Sequence, residues 1–132
     1  MSPTRFGGRP DVVLALVLDC ADLERSATFW CAVLGYEAEP ASAGPYRSLL
    51  PPSGDGIELL LQRVPDKKLT KNRLHLDLRV PDLAAETSRV LSLGAELITP
   101  TPISEHGWTW NVLADPDNNE FCILQPPPEN QH

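Results

Sequence analysis

The sequence contains one pattern twice, and this repeat constrains the fold more than any other feature. In the segment 14–40 an apolar run precedes an Asp-Leu pair, a helical pattern, a Leu-Gly pair and an extended stretch, and the segment 74–100 has the same order. A repeat of this length predicts two copies of one supersecondary unit. The matching pairs, 60 residues apart at the helix start and 59 at its end, are Asp22-Leu23 with Asp82-Leu83, and Leu34-Gly35 with Leu93-Gly94.

Composition narrows the class of protein and its partners. The chain of 132 residues is 42% hydrophobic and 22% charged, which predicts a single globular domain over residues 1–132. A net charge of −7 disfavours nucleic acid, whose phosphates require clustered Lys and Arg. No apolar run approaches the ~20 residues of a membrane span, so we expect no membrane partner and a cytoplasmic location. The three cysteines lack metal-binding spacing and indicate reduced, buried thiols.

Each copy begins with a strand and a helix. The apolar segment Val12–Cys20 predicts a strand buried on both faces. Its counterpart, 73–80, alternates strictly, so one face packs and the other meets a polar environment. The polar face carries Arg73, His75, Asp77 and Arg79. Helix N-caps are predicted at Asp22 and Asp82, and left-handed helix ends at Gly35 and Gly94.

Three short extended segments follow each helix, which makes each copy a βαβββ unit. The expected strands are 36–39, 46–50 and 57–63 in the first copy, and 96–99, 108–113 and 120–124 in the second. The predicted fold is α+β with two tandem modules. Their expected bounds are 11–63 for module one, 64–72 for a connector, 73–125 for module two and 126–132 for a tail.

Three motifs resemble those of the vicinal oxygen chelate superfamily, which includes glyoxalase I, bleomycin-resistance proteins, fosfomycin-resistance enzymes and extradiol dioxygenases. They are Asp-Leu-x-x-Ser-x-x-Phe-Trp-x-x-x-Leu-Gly at 22–35, His-Leu-Asp-Leu at 75–78 and Asp-Pro-Asp-Asn-Asn-Glu-Phe at 115–121. The resemblance spans residues 11–125 and is nearest to the glyoxalase-like branch. It implies curled mixed sheets around a cleft between the modules, and a homodimer. An apolar first strand, Val12–Leu18, also favours a dimer interface.

The resemblance also implies four metal-ligand positions, here Ala15, Glu58, His75 and Cys122. Alanine cannot bind a metal and Cys122 replaces the usual Glu, so His75 and Glu58 are the candidate metal ligands that remain. The register of Glu58 stays open, because an ungapped alignment of the copies places Leu59 opposite Cys122. We therefore expect no tightly bound cofactor; the alternative is a divalent metal whose shell is completed by water.

Several other residues are candidates for ligand binding. His75 shares a polar strand face with Asp77 and has no counterpart in the first copy, so it is either a ligand contact or a structural histidine. Cys122 is a thiolate or packing residue, and Glu120 a cleft carboxylate or turn residue.

Aromatic residues and a polar turn complete the candidates. Trp108 and Trp110 share a strand face and form either a platform for a flat ligand or core and interface filler. Trp30, on the apolar stripe of the first helix, is predicted to be core. The segment 115–119 predicts a turn, because it lacks the central Gly and terminal Glu of a calcium loop.

Three functional hypotheses follow, and they leave open whether the protein is an enzyme. The leading one is a binding protein for a small organic molecule, held without tightly bound metal between an apolar wall (Val13, Ala15 and Val17) and a polar wall (His75, Asp77 and Arg79). The second is a metal-dependent lyase, isomerase or dioxygenase. The third is a non-catalytic scaffold. A superfamily fold alone does not choose among them.

Overall fold

The two modules fold as repeats of one βαβββ unit. The computed structural model describes residues 11, 13–70, 72 and 74–128; Val12, Arg73 and the end of the tail, all used in predictions above, lie outside them. Module one contains β1 (Ala15–Cys20), α1 (Leu23–Leu34), β2 (Glu37–Ala38), β3 (Tyr46–Leu50) and β4 (Glu58–Arg63). Module two contains β5 (Leu76–Arg79), α2 (Leu83–Ser92), β6 (Glu96–Leu97), β7 (Ile103–Glu105), β8 (Trp108–Ala114) and β9 (Glu120–Gln125).

The strand order confirms the repeat. The first sheet runs β1-β4-β3-β2 and the second β5-β9-β8-β6, with β7 also paired to β8. In both sheets the first and last strands of the module pair in parallel and the other pairs are antiparallel. The fold is therefore α+β with two mixed sheets, and neither sheet closes into a barrel.

Strand β7 was not predicted, although the sequence contains a signal for it. Glu105 is paired with Trp108, and the two residues between them, His106 and Gly107, have φ of 53° and 85°. Two central residues with positive φ are typical of a tight two-residue hairpin turn. The strand is only three residues long, and a run that short has no detectable periodicity.

Both helices begin at the predicted caps. The Asp22 carboxylate accepts from the backbone N–H of Arg25, and the Asp82 carboxylate accepts from that of Ala85, each at 3.1 Å. Helix α1 ends at Gly35, whose φ of 72° is left-handed, as predicted. Helix α2 is two residues shorter and is capped by Leu93, so Gly94, with φ of 117°, follows the cap.

Each sheet is covered on one face only. Alternate residues of β3, β4, β8 and β9 are buried beneath the helices, among them Leu49, Leu61, Leu113, Phe121 and Ile123. The prediction that the first strand is buried on both faces is wrong for its described part, because β1 is an edge strand and no helix covers its second face. Val13, Leu14 and Val17 are 88%, 65% and 55% exposed.

The modules join on the helix side, where they share one core. Trp30 is fully buried, as predicted, and stacks edge-on against Phe121 of module two, with ring centroids 5.0 Å apart. Helix α1 is also held at both ends by module two: Asp117 accepts from the Ala21 N–H at 2.8 Å, and Arg89 donates to the Val33 carbonyl at 3.0 Å. An acid at the helix start and a base at its end match the helix dipole.

The loop between β8 and β9 supplies the acids of this junction and is the predicted turn. Asp115 accepts from the backbone N–H groups of Asp117 and Asn119, at 2.9 and 2.8 Å. Burial raises the pKa of the Asp115 carboxyl, while hydrogen bonds from Trp30, Asn119 and Asp117 act in the opposite direction.

Neither helix in the described part of the chain has the length and apolar character needed to cross a bilayer.

Candidate functional site

The uncovered face of the second sheet forms a cavity of about 410 Å³. Side chains that alternate away from the helices on β5, β8 and β9 form most of its wall, and β7 adds one residue. The lining residues are His75, Asp77, Ile103, Trp110, Val112, Glu120, Phe121, Cys122 and Leu124. Five of the seven predicted ligand-binding residues are therefore brought together, and Glu58 and Trp108 are not among them.

His75 and Glu120 lie at one end of this cavity and are linked through Asn72. The Nε2 atom of His75 is 3.0 Å from the Asn72 carbonyl oxygen, and the Asn72 N–H donates to Glu120 at 3.3 Å. A carbonyl oxygen only accepts, so Nε2 carries a hydrogen and Nδ1 of the neutral ring is left as an acceptor. Glu120 also lies 3.7 Å from the Lys68 ammonium. One residue of the connector thus orients both groups.

Asp77 lies in the middle of the cavity rim. It is level with Cys122 on β9, which is level with Val112 on β8, so these side chains form a row across three strands. The Asp77 side chain is exposed, and its carboxylate makes no hydrogen bond or ion pair with the residues described. Cys122 is half-buried in the same row. The row therefore runs from the charged Asp77 at the edge of the cavity, called the rim below, to the apolar Val112 on its base, called the floor.

The two predicted tryptophans have different surroundings. Trp110 is level with Leu124 on one side and Ile103 on the other, and it lines the cavity. Trp108 lies outside the cavity, where the Arg79 guanidinium sits 5.2 Å from its ring centroid. This geometry is a cation–π contact, so the cation of Arg79 already faces an aromatic ring.

Glu58 lies on the other sheet. It is level with Ala15 on β1, and the Ser48 hydroxyl donates to it at 2.5 Å. The same register in module two brings His75 level with Glu120, so Glu58 corresponds to Glu120 and Leu60 to Cys122. Neither predicted register is correct: the counterpart of Cys122 is Leu60, not Glu58, and Leu59 of the ungapped alignment is buried beneath α1 on the opposite face.

The donor set does not fit a metal ion within one chain. Among the residues for which a position is described, no three His, Cys, Asp or Glu side chains converge as a metal site would require. At the two positions implied for module one, Ala15 has no donor and Glu58 is engaged by Ser48. A structural or catalytic metal takes at least three protein ligands in the common zinc sites. A site of this kind would need donors from outside the single chain.

The position of the cavity differs from the expected cleft between modules. All of its lining residues belong to module two, because the modules meet through their helices and leave the uncovered sheet faces apart. A smaller cavity of about 300 Å³ does lie at the junction, where Val17 and Asp19 of β1 face Leu74 and Glu120. Sequence analysis did not identify the apolar lining residues Val112, Leu124 and Ile103, because only strand pairing shows which apolar side chains lie side by side.

The other two cysteines are not part of the cavity. Cys20 is buried and Cys31 half-buried, and burial raises the pKa of both thiols. A raised thiol pKa disfavours the reactive thiolate. Cys20 is therefore a buried, small apolar side chain, as predicted, whereas Cys31 is buried less than predicted.

The fold and the three motifs define a protein of the vicinal oxygen chelate superfamily. The chain belongs to the glyoxalase-like domain family, whose model matches residues 15–124. A comparison with curated proteins found no match.

Solved structures share the fold at low sequence identity. One is a glyoxalase/bleomycin resistance protein/dioxygenase family enzyme from Burkholderia phytofirmans PsJN (17% identity, 84% of this chain and 95% of that chain, TM-score 0.69). Another is the fosfomycin resistance protein FosX from Mesorhizobium loti (18%, 87% and 92%, TM-score 0.67). A third is FosX from Listeria monocytogenes, complexed with Mn(II) and sulfate (17%, 92% and 94%, TM-score 0.71). At this identity the likeness shows the fold alone.

Proposed function

We propose that the protein binds a small organic molecule in the cavity on the uncovered face of the second sheet, without a tightly bound metal. The observation that carries this proposal is the convergence of His75, Asp77, Trp110, Glu120 and Cys122 around one cavity of about 410 Å³. This volume lies within the range of small-molecule sites, which combine an apolar lining with a few placed polar groups. The ligand's flat apolar part packs on Trp110, and its polar part meets the rim.

A thermal shift experiment tests this proposal. The melting temperature is measured with naphthalene derivatives and 2-oxo acids, for wild type and for Trp110→Ala. A ligand that binds only the folded state raises the melting temperature with concentration. The matched control is Trp108→Ala, which removes the neighbouring indole outside the cavity. We expect a shift in wild type and in the control that is lost in Trp110→Ala. Equal shifts in both variants, or none at millimolar concentration, would contradict the proposal.

The alternative is a metal-dependent lyase, isomerase or dioxygenase. It is favoured by one observation: FosX from Listeria monocytogenes, which shares this fold, was solved with Mn(II). Here His75 and Glu58 are the candidate ligands, and because they lie on different sheets of one chain, a second chain would have to bring them together, with water or substrate completing the shell. Metal content of untagged protein by mass spectrometry separates the two functions. One tightly bound zinc, nickel, iron or manganese per chain favours the enzyme; a substoichiometric amount favours the binding protein.

The protein is further proposed to be a homodimer. Strand β1 forms one edge of its sheet in the described part of the chain, and Val17 of β1 is exposed together with Val13 and Leu14, which precede the strand. Exposed apolar edges are typical of interfaces and are otherwise prone to aggregation. A second copy of this chain is the occupant that the proposal commits to.

A further inference from the structure

The charges around the cavity on the second sheet are unequally compensated. Two carboxylates line it, Asp77 and Glu120. Glu120 has the Lys68 ammonium at 3.7 Å and the Asn72 N–H at 3.3 Å. Asp77 has neither an ion pair nor a hydrogen bond among the residues that the structure describes. Its charge is the one left to interact with a ligand.

The basic residue nearest to Asp77 along its strand face is engaged elsewhere. Arg79 lies on the same face of β5, two residues further on, and its guanidinium is placed over Trp108 at 5.2 Å from the centroid. The guanidinium of Arg79 is therefore held at the tryptophan outside the cavity. A ligand anion in the cavity would meet the Asp77 carboxylate, which forms no ion pair with the residues described.

The distance from Asp77 to the apolar floor suits a compact aromatic cation. Asp77 and Val112 are level with each other across β9, which places their strands two interstrand spacings apart, about 10 Å. Trp110 follows on β8 and is level with Leu124. Two fused rings on this floor can carry a charged substituent to the rim. The indole of Trp110 favours the same charge, because the face of an aromatic ring attracts cations.

We propose that this cavity selects cationic aromatic ligands, amines or guanidines, over neutral and anionic ones, and that Asp77 is the residue that determines this specificity. The inference rests on the proposed function, since it requires that the cavity bind organic molecules. It adds the charge class of the ligand. Asp77 contacts the cation directly, and the floor contributes affinity that does not depend on charge.

Three probes that share a naphthalene ring and differ in the charge of their one-carbon substituent test this inference. Isothermal titration calorimetry at pH 7 and low salt compares 2-naphthylmethylamine, 2-naphthylmethanol and 2-naphthoate. We expect the amine to bind roughly fivefold more tightly than the alcohol, the effect of one partly exposed ion pair. The carboxylate should bind more weakly than the alcohol. The preference should shrink as salt is added, because exposed charges are screened.

Two variants separate a local contact from the overall charge of the protein. Asp77→Asn should reduce the affinity for the amine to that for the alcohol and leave the alcohol unchanged within about twofold. The control Asp66→Asn removes the same charge from the connector, outside this cavity, and should retain the preference. Equal binding of amine and alcohol to wild type, or a preference that survives Asp77→Asn, would overturn the inference while the proposed function stands. Absence of binding for all three probes would overturn both.

Discussion

The indole Nε1 of Trp30 donates a hydrogen bond of 3.0 Å to Oδ2 of Asp115, and both side chains are buried. The bond joins helix α1 of module one to the β8–β9 loop of module two. Asp115 in turn organises that loop through the N–H groups of Asp117 and Asn119. One buried pair therefore links the two repeats and shapes the turn that leads into β9, which carries Glu120 and Cys122.

Replacing Trp30 by Phe should destabilise the protein by about 1–3 kcal/mol, because a buried carboxylate loses one of its donors. The measurement is the free energy of unfolding from urea denaturation. The same substitution at Trp108, which is only half-buried, serves as the control and should have a smaller effect. Equal stability of Trp30→Phe and wild type would show that the bond does not hold the modules together.

On α2, Arg89 forms an ion pair with Glu86 at 2.7 Å and also reaches the C-terminal end of α1, and this ion pair predicts a pH dependence. A hydrogen bond from Arg89 lowers the pKa of the Glu86 carboxyl below 4.5, its ordinary value. The unfolded chain then binds more protons near that pH, so the stabilisation is present above pH 4.5 and is lost as pH falls through the folded pKa. The difference in unfolding free energy between wild type and Glu86→Gln should shrink below pH 4.5.

The measurement compares the unfolding free energies of wild type and Glu86→Gln, because titration of Asp115 changes the stability of both proteins with pH in the opposite direction. Its raised pKa means that the folded state binds more protons just above pH 3.8, so this group favours folding as pH falls. Both proteins contain Asp115, and its contribution cancels. A difference between wild type and Glu86→Gln that stays constant from pH 7 to pH 3 would contradict the role assigned to Glu86.

Light scattering at micromolar concentration should give twice the mass of the chain. The variant Val17→Asp places a charge on the exposed face of β1 and should shift the protein toward the monomer. Val17 is more than half exposed, so the substitution should leave the melting temperature of the monomer nearly unchanged. A single species with the mass of one chain in wild type would refute the dimer.

Adjacent residues of the second copy should respond differently to truncation. His75→Ala should weaken binding of 2-naphthylmethylamine and leave the melting temperature nearly unchanged, because His75 is an exposed residue that lines the cavity. Leu76→Ala should lower the free energy of unfolding by about 2 kcal/mol, because Leu76 packs against the core from a half-buried position. If His75→Ala unfolds the protein and a folded remnant binds normally, His75 is a structural histidine.

Sequence reasoning predicted the features that depend on local chemistry. The caps at Asp22 and Asp82 follow from side chains that satisfy their own helix ends, and the alternation of His75 and Asp77 with leucines follows from strand geometry. These features need no knowledge of distant contacts. The prediction that His75 and Asp77 lie on the same strand face was possible for the same reason.

Features that depend on pairing or on module contact could not be predicted. An apolar run such as 13–18 looks the same in a buried strand and in an edge strand with one uncovered face. The level of Glu58 relative to Ala15 is set by β1–β4 pairing, and a slip of one residue would reverse its face. The contact of Arg89 with α1, one of several that join the modules, links residues 56 positions apart.

The NMR signals of the indole N–H groups test the central claim most directly, because the chain has three tryptophans in three different environments. Trp110 lines the cavity, Trp108 lies beneath Arg79 and Trp30 is buried at the module junction. The variants Trp30→Phe, Trp108→Phe and Trp110→Phe assign the signals. On titration with 2-naphthylmethylamine, the Trp110 signal should move most and the Trp30 signal should stay fixed. A fixed Trp110 signal, or a larger shift at Trp30, would contradict binding on the second sheet.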